Sequence, residues 1–319
     1  MRLTYREGRP EDFEDWFAME CLCFSRGTKW RGNAKWEWDA LFQSPGFLTL
    51  VLEESEGLPQ PRMAGFGAGA FVSDAFVDWL AAKQAPYVLI HATNPLPDGS
   101  SPLLNRTELC AANSGDGLNF LLTHWTWAAP RLDEKQIAFV RSRLAELFHW
   151  MHGGYNLKSF LSEGFGVPHR DRSLASGFMM LNDYRDYYCK NPEKFIPSEY
   201  PSLMIVTRDS VKDGSAMARS FAYTPPRFRF TPRQQEILRL ARQGKSNSEI
   251  RACFAISETA FKAHWLRIYE RVESAQPDLL PDPLEDPRRI GARAALVHYL
   301  QSHPEELRPH HALIAPAKR

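Results

Sequence analysis

An α/β (or α+β) layered domain joined to an all-α domain is the architecture that the sequence predicts. Three observations predict it. Over residues 1–190, strand-like runs rich in β-branched and aromatic residues are interleaved with segments of helical period, as in packed layers. Over 191–226 the periodicity weakens, and Pro192, Pro197, Pro201, Pro225 and Pro226 punctuate the chain as in a linker. From Arg227 onward only helical patterns remain.

The bulk numbers agree with two soluble domains. The chain has 319 residues, 44% hydrophobic and 24% charged, and its nine Trp and twenty Phe can fill sizeable cores. The net charge of +1 hides an asymmetry. Residues 227–319 hold 16 Lys+Arg against 11 Asp+Glu, and the rest hold 23 against 27. A basic C-terminal part predicts an anionic partner there. The five cysteines, Cys21, Cys23, Cys110, Cys189 and Cys253, are odd in number and form no CxxC pair, which predicts reduced thiols in the cytoplasm. The first residues lack an apolar leader, and no apolar run approaches the roughly 18 residues of a membrane span, so no membrane partner is expected.

The elements follow in order. Leu3 to Arg6 reads as a strand, and Gly8-Arg9-Pro10 as a turn before a helix from Glu11 to Cys23. Asn33 to Phe42 is a second helix. Phe47 to Glu53 and Met63 to Ser73 are strands on either side of a Gly/Pro turn. Asp74 to Gln84 has helical period, and Tyr87 to Thr93 reads as a strand. A polar loop then spans Asn94 to Gly117, and Leu118 to Trp127 is a strand. Asp133 to Met151 is the longest helix of this half, with Ile137, Val140, Leu144, Leu147 and Met151 at helical spacing.

The strand-into-helix opening from Tyr5 to Trp16, the central strands, the long helix, then Gly164-Phe165 and Ala175 to Met179, together resemble GNAT-type acyltransferases over 1–190. The resemblance implies acetyl-CoA or another acyl-CoA as cofactor. Its pyrophosphate would lie on backbone N–H groups of an R/Q-x-x-G-x-G/A turn that opens a helix. Arg62, Gly65 and Gly67 have those letters and are the cofactor-binding candidates, but they lie inside a strand-like segment. There the alternative reading of Gly65, Gly67 and Gly69 is close backbone packing. The connection where the turn is expected, Ala128 to Asp133, has no glycine, so a degenerate site is expected. No catalytic residue and no metal site is assigned. His149 and His152 share a helical face, but no matching carboxylate or Cys is identifiable to complete a metal site, and they read as surface or core histidines.

Beyond Arg227, three helix starts are written in caps. Thr231-Pro232-Arg233-Gln234 is a T-x-x-Q box with Pro at the first helical position, and Gly244 is the stop. Ser246-Asn-Ser-Glu249 is an S-x-x-E box. Ser257 caps a third helix, Glu258 to Val272, whose inward residues are Phe261, Trp265, Ile268 and Val272. Three short helices with tight turns suit a helix-turn-helix. Thr231-Pro232-Arg233 with Glu236, the Gly244 to Asn247 turn, Glu249-Ile250, Ile256-Ser257-Glu258 and Lys262-x-His264 with Ile268 resemble the DNA-binding domain of LuxR-type regulators. The resemblance implies double-stranded DNA as partner. Lys262 and Thr259 would face base edges, and Lys245, Ser257 and Arg267 the phosphates. His264 reads as a core or capping residue.

Thr259 stands where the family often has Lys or Arg, and Trp265 where a smaller aliphatic residue is usual. An insertion at 273–290, with four prolines, precedes the fourth helix around Arg293 and Leu296 to Tyr299. That helix often dimerises in the family, so a homodimer is expected, and the insertion leaves its interface open. The domains predicted are thus 1–190, a linker at 191–226, a DNA-binding domain at 227–303 and a tail at 304–319. The function expected is a transcriptional regulator whose first domain senses a small-molecule effector or a partner. The alternatives are an acyl-CoA-dependent N-acyltransferase fused to a DNA-binding domain and a pure interaction module.

Overall fold

The computed structural model describes residues 1–23, 31–83, 85–196, 200–215, 217–281 and 290–311. In chain order the elements are β1 (Leu3–Arg6), α1 (Phe13–Cys23), α2 (Arg31–Gln43), β2 (Phe47–Glu54), β3 (Arg62–Val72), α3 (Asp74–Ala82), α4 (Val88–Ala92), α5 (Arg106–Ser114), β4 (Leu118–Trp127) and α6 (Glu134–His152). Then come β5 (Leu157–Phe165), α7 (Val167–Ala175), β6 (Met179–Asn182), α8 (Arg185–Lys190), β7 (Pro201–Thr207), α9 (Ala218–Phe221), α10 (Pro232–Arg242), α11 (Asn247–Phe254), α12 (Glu258–Ala275) and α13 (Ile290–Ser302). The residues group into two units. One holds Met1–Leu109, Asp116–His152 and Leu157–Phe221, and the other Cys110–Gly115, Gly153–Asn156 and Ala222–Arg319.

The first unit is a seven-stranded mixed sheet of order β1-β2-β3-β4-β5-β7-β6. Its strands pair antiparallel except β4 with β5. Strand alternation decides what each face buries. Gly65, Gly67 and Gly69 share one face of β3. A Cβ on Gly65 would stand 3.0 Å from Leu144 of α6, and one on Gly69 only 2.1 Å from the Phe120 ring. The glycines therefore let α6 and an aromatic ring lie against the sheet. Phe66 and Ala68 point the other way, into a cluster with Phe13, Trp16 and Trp38 of α1 and α2. A further cluster joins Val72, Leu121, Leu161 and Leu203 of the sheet to Phe76, Val88 and Tyr184.

The parallel pairing of β4 with β5 ends at Leu122 and Ser162. Beyond it, β4 stays paired with β3 and β5 with β7. The two strands part there, and a cleft of about 150 Å³ opens between them.

Three expectations for this unit are corrected. Tyr87 to Thr93 is not a strand. Val88–Ala92 is a short helix, because the Glu163 carboxylate accepts the N–H groups of Tyr87 and Val88 at 2.9 Å each and caps it. The loop from Asn94 to Gly117 contains α5. The Asn105 side chain accepts from the N–H groups of Thr107 and Glu108, and Glu108 accepts from the Asn105 N–H, a reciprocal cap. The segment 191–226 is not simply a linker. It supplies β7, an inner strand between β5 and β6, with Pro201 tolerated as its first residue.

The second unit packs α10 to α13 around Phe228, Phe230, Ile237, Leu238, Ile250, Phe261, Trp265, Ile268, Val272, Leu296 and Leu300. Of the insertion, α12 runs on to Ala275, Leu280 joins the core, and 282–289 lie outside the described residues. The tail is also corrected. Pro304–Leu307 form a 3-10 turn, and buried Glu306 accepts the N–H groups of Arg227 and Phe228 at 2.8 and 2.9 Å. Arg308 donates to the Gly153 carbonyl at 2.9 Å and lies 4.5 Å over the Tyr155 ring. Residues 312–319 lie outside the described residues.

Candidate nucleic-acid interface

Three caps position the helices that matter. Thr231 Oγ1 accepts from the Gln234 N–H, and the Gln234 side chain accepts from the Thr231 N–H at 2.9 Å. Ser246 and Glu249 make the same reciprocal pair at the start of α11. The backbone N–H and hydroxyl of Ser246, with Lys245, hold the Glu249 carboxyl down to about 2, so it is ionised at neutral pH. Ser257 Oγ accepts from the Ala260 N–H at 3.2 Å and starts α12. Such caps satisfy N–H groups that a helix start leaves unpaired.

Between α10 and α11 the chain reverses at Gly244, whose φ of +81° suits a residue without Cβ. Between α11 and α12 it turns at Ala255, φ +50°, within a three-residue link. The link sets α12 directly after α11, as a helix-turn-helix requires.

The faces of α12 are sharply divided. Phe261, Trp265, Ile268, Tyr269 and Val272 are buried. Thr259, Lys262, Ala263, Leu266 and Arg267 are exposed. Lys262 is extended into solvent, 73% exposed, and pairs with Glu258 one turn earlier at 2.7 Å. That lysine in turn holds the Glu258 carboxyl below its ordinary range. Lys245 is exposed and pairs with Glu249 at 3.1 Å. These pairs are solvated i,i+4 contacts of small worth, so an incoming phosphate can replace the carboxylate at little cost.

The structure thus puts Thr259, Lys262 and Arg267 on the exposed side of one helix, and Ser257 at its cap. Lys245 stands in the turn before α11. His264 is half-buried, and burial, then Arg267 and Arg233, push its imidazole below its ordinary pKa.

Sequence reasoning missed Arg293 as a site residue. From α13 it donates to the Lys245 carbonyl at 2.6 Å and to the Asn247 side chain, and it lies 5.4 Å from the Trp265 ring centre. The departure at Trp265 was the available signal, since a large flat ring on α12 invites a cation.

In the first unit, Arg62, Gly65 and Gly67 lie on β3, which is paired on both edges, and they form no turn. Arg62 instead pairs with Glu54 at 2.9 Å. At the start of α6, Asp133 Oδ1 accepts from the Gln136 N–H at 2.8 Å and Gln136 Oε1 accepts from the Asp133 N–H at 3.0 Å. Near the place expected to receive a pyrophosphate, the chain's own Asp133 carboxylate takes the Gln136 N–H. His149 shares a hydrogen bond with Ser220, and buried His152 one with the Phe148 carbonyl. The cleft between β4 and β5 is lined by Trp16, Thr123, His124, Ser162, Glu163 and His169, among others. The His169 imidazole packs over Gly164, where a Cβ would stand 1.8 Å from Nδ1, and burial and then Arg172 lower its pKa. Among the described residues, no helix is long and apolar enough to cross a membrane.

Residues 229–275 match the family of bacterial regulatory proteins designated luxR, and they form a LuxR-family helix-turn-helix domain. No curated protein matches the chain. Solved structures similar to the N-terminal part are of GNAT type. A GNAT-family protein from Desulfovibrio desulfuricans is 13% identical, with 65% of this chain and 99% of that one covered and a TM-score of 0.37. The loading GNATL domain of CurA from Lyngbya majuscula is 12% identical, with 66% and 99% covered and a TM-score of 0.41. FeeM, an N-acyl amino acid synthase from uncultured soil microbes, is 8% identical, with 68% and 96% covered and a TM-score of 0.37.

Proposed function

We propose that this protein is a cytoplasmic transcription regulator that lays α12 in the major groove of double-stranded DNA and receives a small-molecule signal in its first unit. The division of α12 carries the DNA half of this reading. One side is a complete core face, and the other offers Thr259, Lys262 and Arg267 to solvent inside the matched segment. Lys262 reaches base edges, Arg267 and Lys245 meet phosphates, and the Ser257 cap presents the N-terminal N–H groups of α12 to the backbone. Two copies bind paired half-sites, which multiplies specificity.

The signal half rests on the cleft between β4 and β5, a concave site with both apolar and polar walls. An acyl-CoA-dependent transferase fits less well, because the connection from β4 to α6 has no glycine and the Gln136 N–H at the start of α6 is taken by the Asp133 carboxylate.

Selection of duplexes from a random library by the full chain tests the DNA half. Enrichment of a defined site is the expected result, and enrichment of none contradicts it. Calorimetric titration with acetyl-CoA tests the other half. Absence of binding at millimolar ligand agrees with a signal other than acyl-CoA, whereas tight binding and acyl transfer to an amine would favour the enzyme.

A further inference from the structure

Leu266 is out of place for a residue that serves only the fold. The core face of α12 is already complete with Phe261, Trp265, Ile268 and Val272, yet Leu266 stands 50% exposed. It is not isolated. Thr259, Ala263 and Leu266 follow one another at steps of four and three, so they form one stripe along the exposed side. Lys262 and Arg267, both exposed, flank that stripe in sequence and carry positive charge beside it. An apolar stripe between cations fits a polyanion that also has an apolar feature within reach. In the major groove the T 5-methyl is such a feature, and apolar side chains are its partners.

We infer that Leu266, with Ala263 and the Thr259 methyl, selects DNA sites by packing on the 5-methyl group of thymine. This rests on the reading of α12 as the helix that enters the major groove. Lys262 then supplies attraction and a polar contact, while Leu266 supplies discrimination. A site chosen by this protein contains thymine opposite the middle of α12, and a base pair with a polar edge there leaves Leu266 against unpaired polar groups.

The test removes only the methyl. The duplex enriched by the full-length protein is resynthesised with single thymines replaced by uracil, which keeps pairing and hydrogen-bonding groups and lacks the 5-methyl. Affinity is measured by fluorescence anisotropy. The expected result is a roughly fourfold loss at one or two positions, the worth of a methyl group withdrawn from water. In Leu266→Ala, whose exposed side chain leaves the core intact, the preference for thymine over uracil should shrink at the position where Leu266 packs. Equal affinity of wild-type protein for all uracil copies overturns the inference while leaving DNA binding standing. Discrimination that is undiminished at every position in Leu266→Ala also overturns it, because the methyl is then read elsewhere. If the wild-type protein enriches no duplex at all, the reading of α12 fails, and this inference falls with it.

Discussion

The guanidinium of Arg293 lies 5.4 Å from the centre of the Trp265 ring while it donates to the Lys245 carbonyl at 2.6 Å. One side chain of α13 thus ties the turn before α11 to the middle of α12. This gives the helix beyond the insertion a task inside its own unit. Ala292, Leu296 and Leu300 of the same helix are buried in the core. The turn held by Arg293 carries Lys245, and the ring beneath it belongs to the helix that carries Lys262.

Arg293→Ala should therefore lower the stability of the second unit by about 1–2 kcal/mol, the sum expected for a cation over a ring and a charged hydrogen bond at a half-exposed place. Chemical denaturation followed by tryptophan fluorescence measures it. Arg293→Lys should restore little, because an ammonium has no planar fork to hold a carbonyl and a side chain while stacking. Full recovery with lysine would mean that charge alone matters.

Gly154 offers a sharper structural test. Its φ is +82°, and a Cβ there would stand 2.4 Å from the Glu305 backbone nitrogen. Gly154→Ala should cost about 3 kcal/mol or more, combining left-handed strain with overpacking against backbone that cannot swing aside. A thermal melt unchanged from wild type would contradict the docking of the 304–307 turn.

In the first unit, Arg6 forks onto Asp12 with two contacts of 2.7 Å and also reaches Glu53 at 2.7 Å. Burial raises the Asp12 pKa, but the Arg6 side chain and the Arg9 N–H outweigh it, and the net shift is downward. For a carboxyl depressed in the folded state, the stabilisation is present above the unfolded value of about 3.9 and is lost as pH falls through the folded value. Asp12→Asn should remove about 1–2 kcal/mol at neutral pH, and the deficit should shrink in acid, as pH falls below the unfolded value of about 3.9. Urea melts at both pH values check the sign. A deficit that grows in acid would contradict it.

Lys262→Ala should weaken binding to the enriched duplex by about 1–3 kcal/mol if the lysine reaches a base edge, and the circular dichroism spectrum should not change. Unchanged affinity would remove Lys262 from the interface.

The sequence showed most where the cause is local. Thr231, Ser246 and Ser257 each cap the helix that follows at once, so their signals lie within four residues of their effect. The elements it hid depend on distant partners. The cap of α4 comes from Glu163, 75 residues beyond Val88, and Tyr87 to Thr93 alone has the composition of a strand. Pro201 disguised β7 as linker, although proline costs nothing at the first residue of a strand. The box at Asn105 and Glu108 was readable, but it sat in a stretch crowded with loop formers. In α12, residue types were legible and exposure was not. Only the packed core of α12 shows that Leu266 is left outside.

The most direct test of DNA recognition by α12 is the affinity of the full chain for its enriched duplex, measured by anisotropy at several salt concentrations. Saturable binding is predicted, with the logarithm of the association constant falling linearly with the logarithm of salt. In Arg267→Ala the slope should become shallower by about one unit, because one phosphate contact is lost. No binding at about 50 mM salt, or binding with a slope that Arg267→Ala and Lys245→Ala both leave unchanged, would contradict the account.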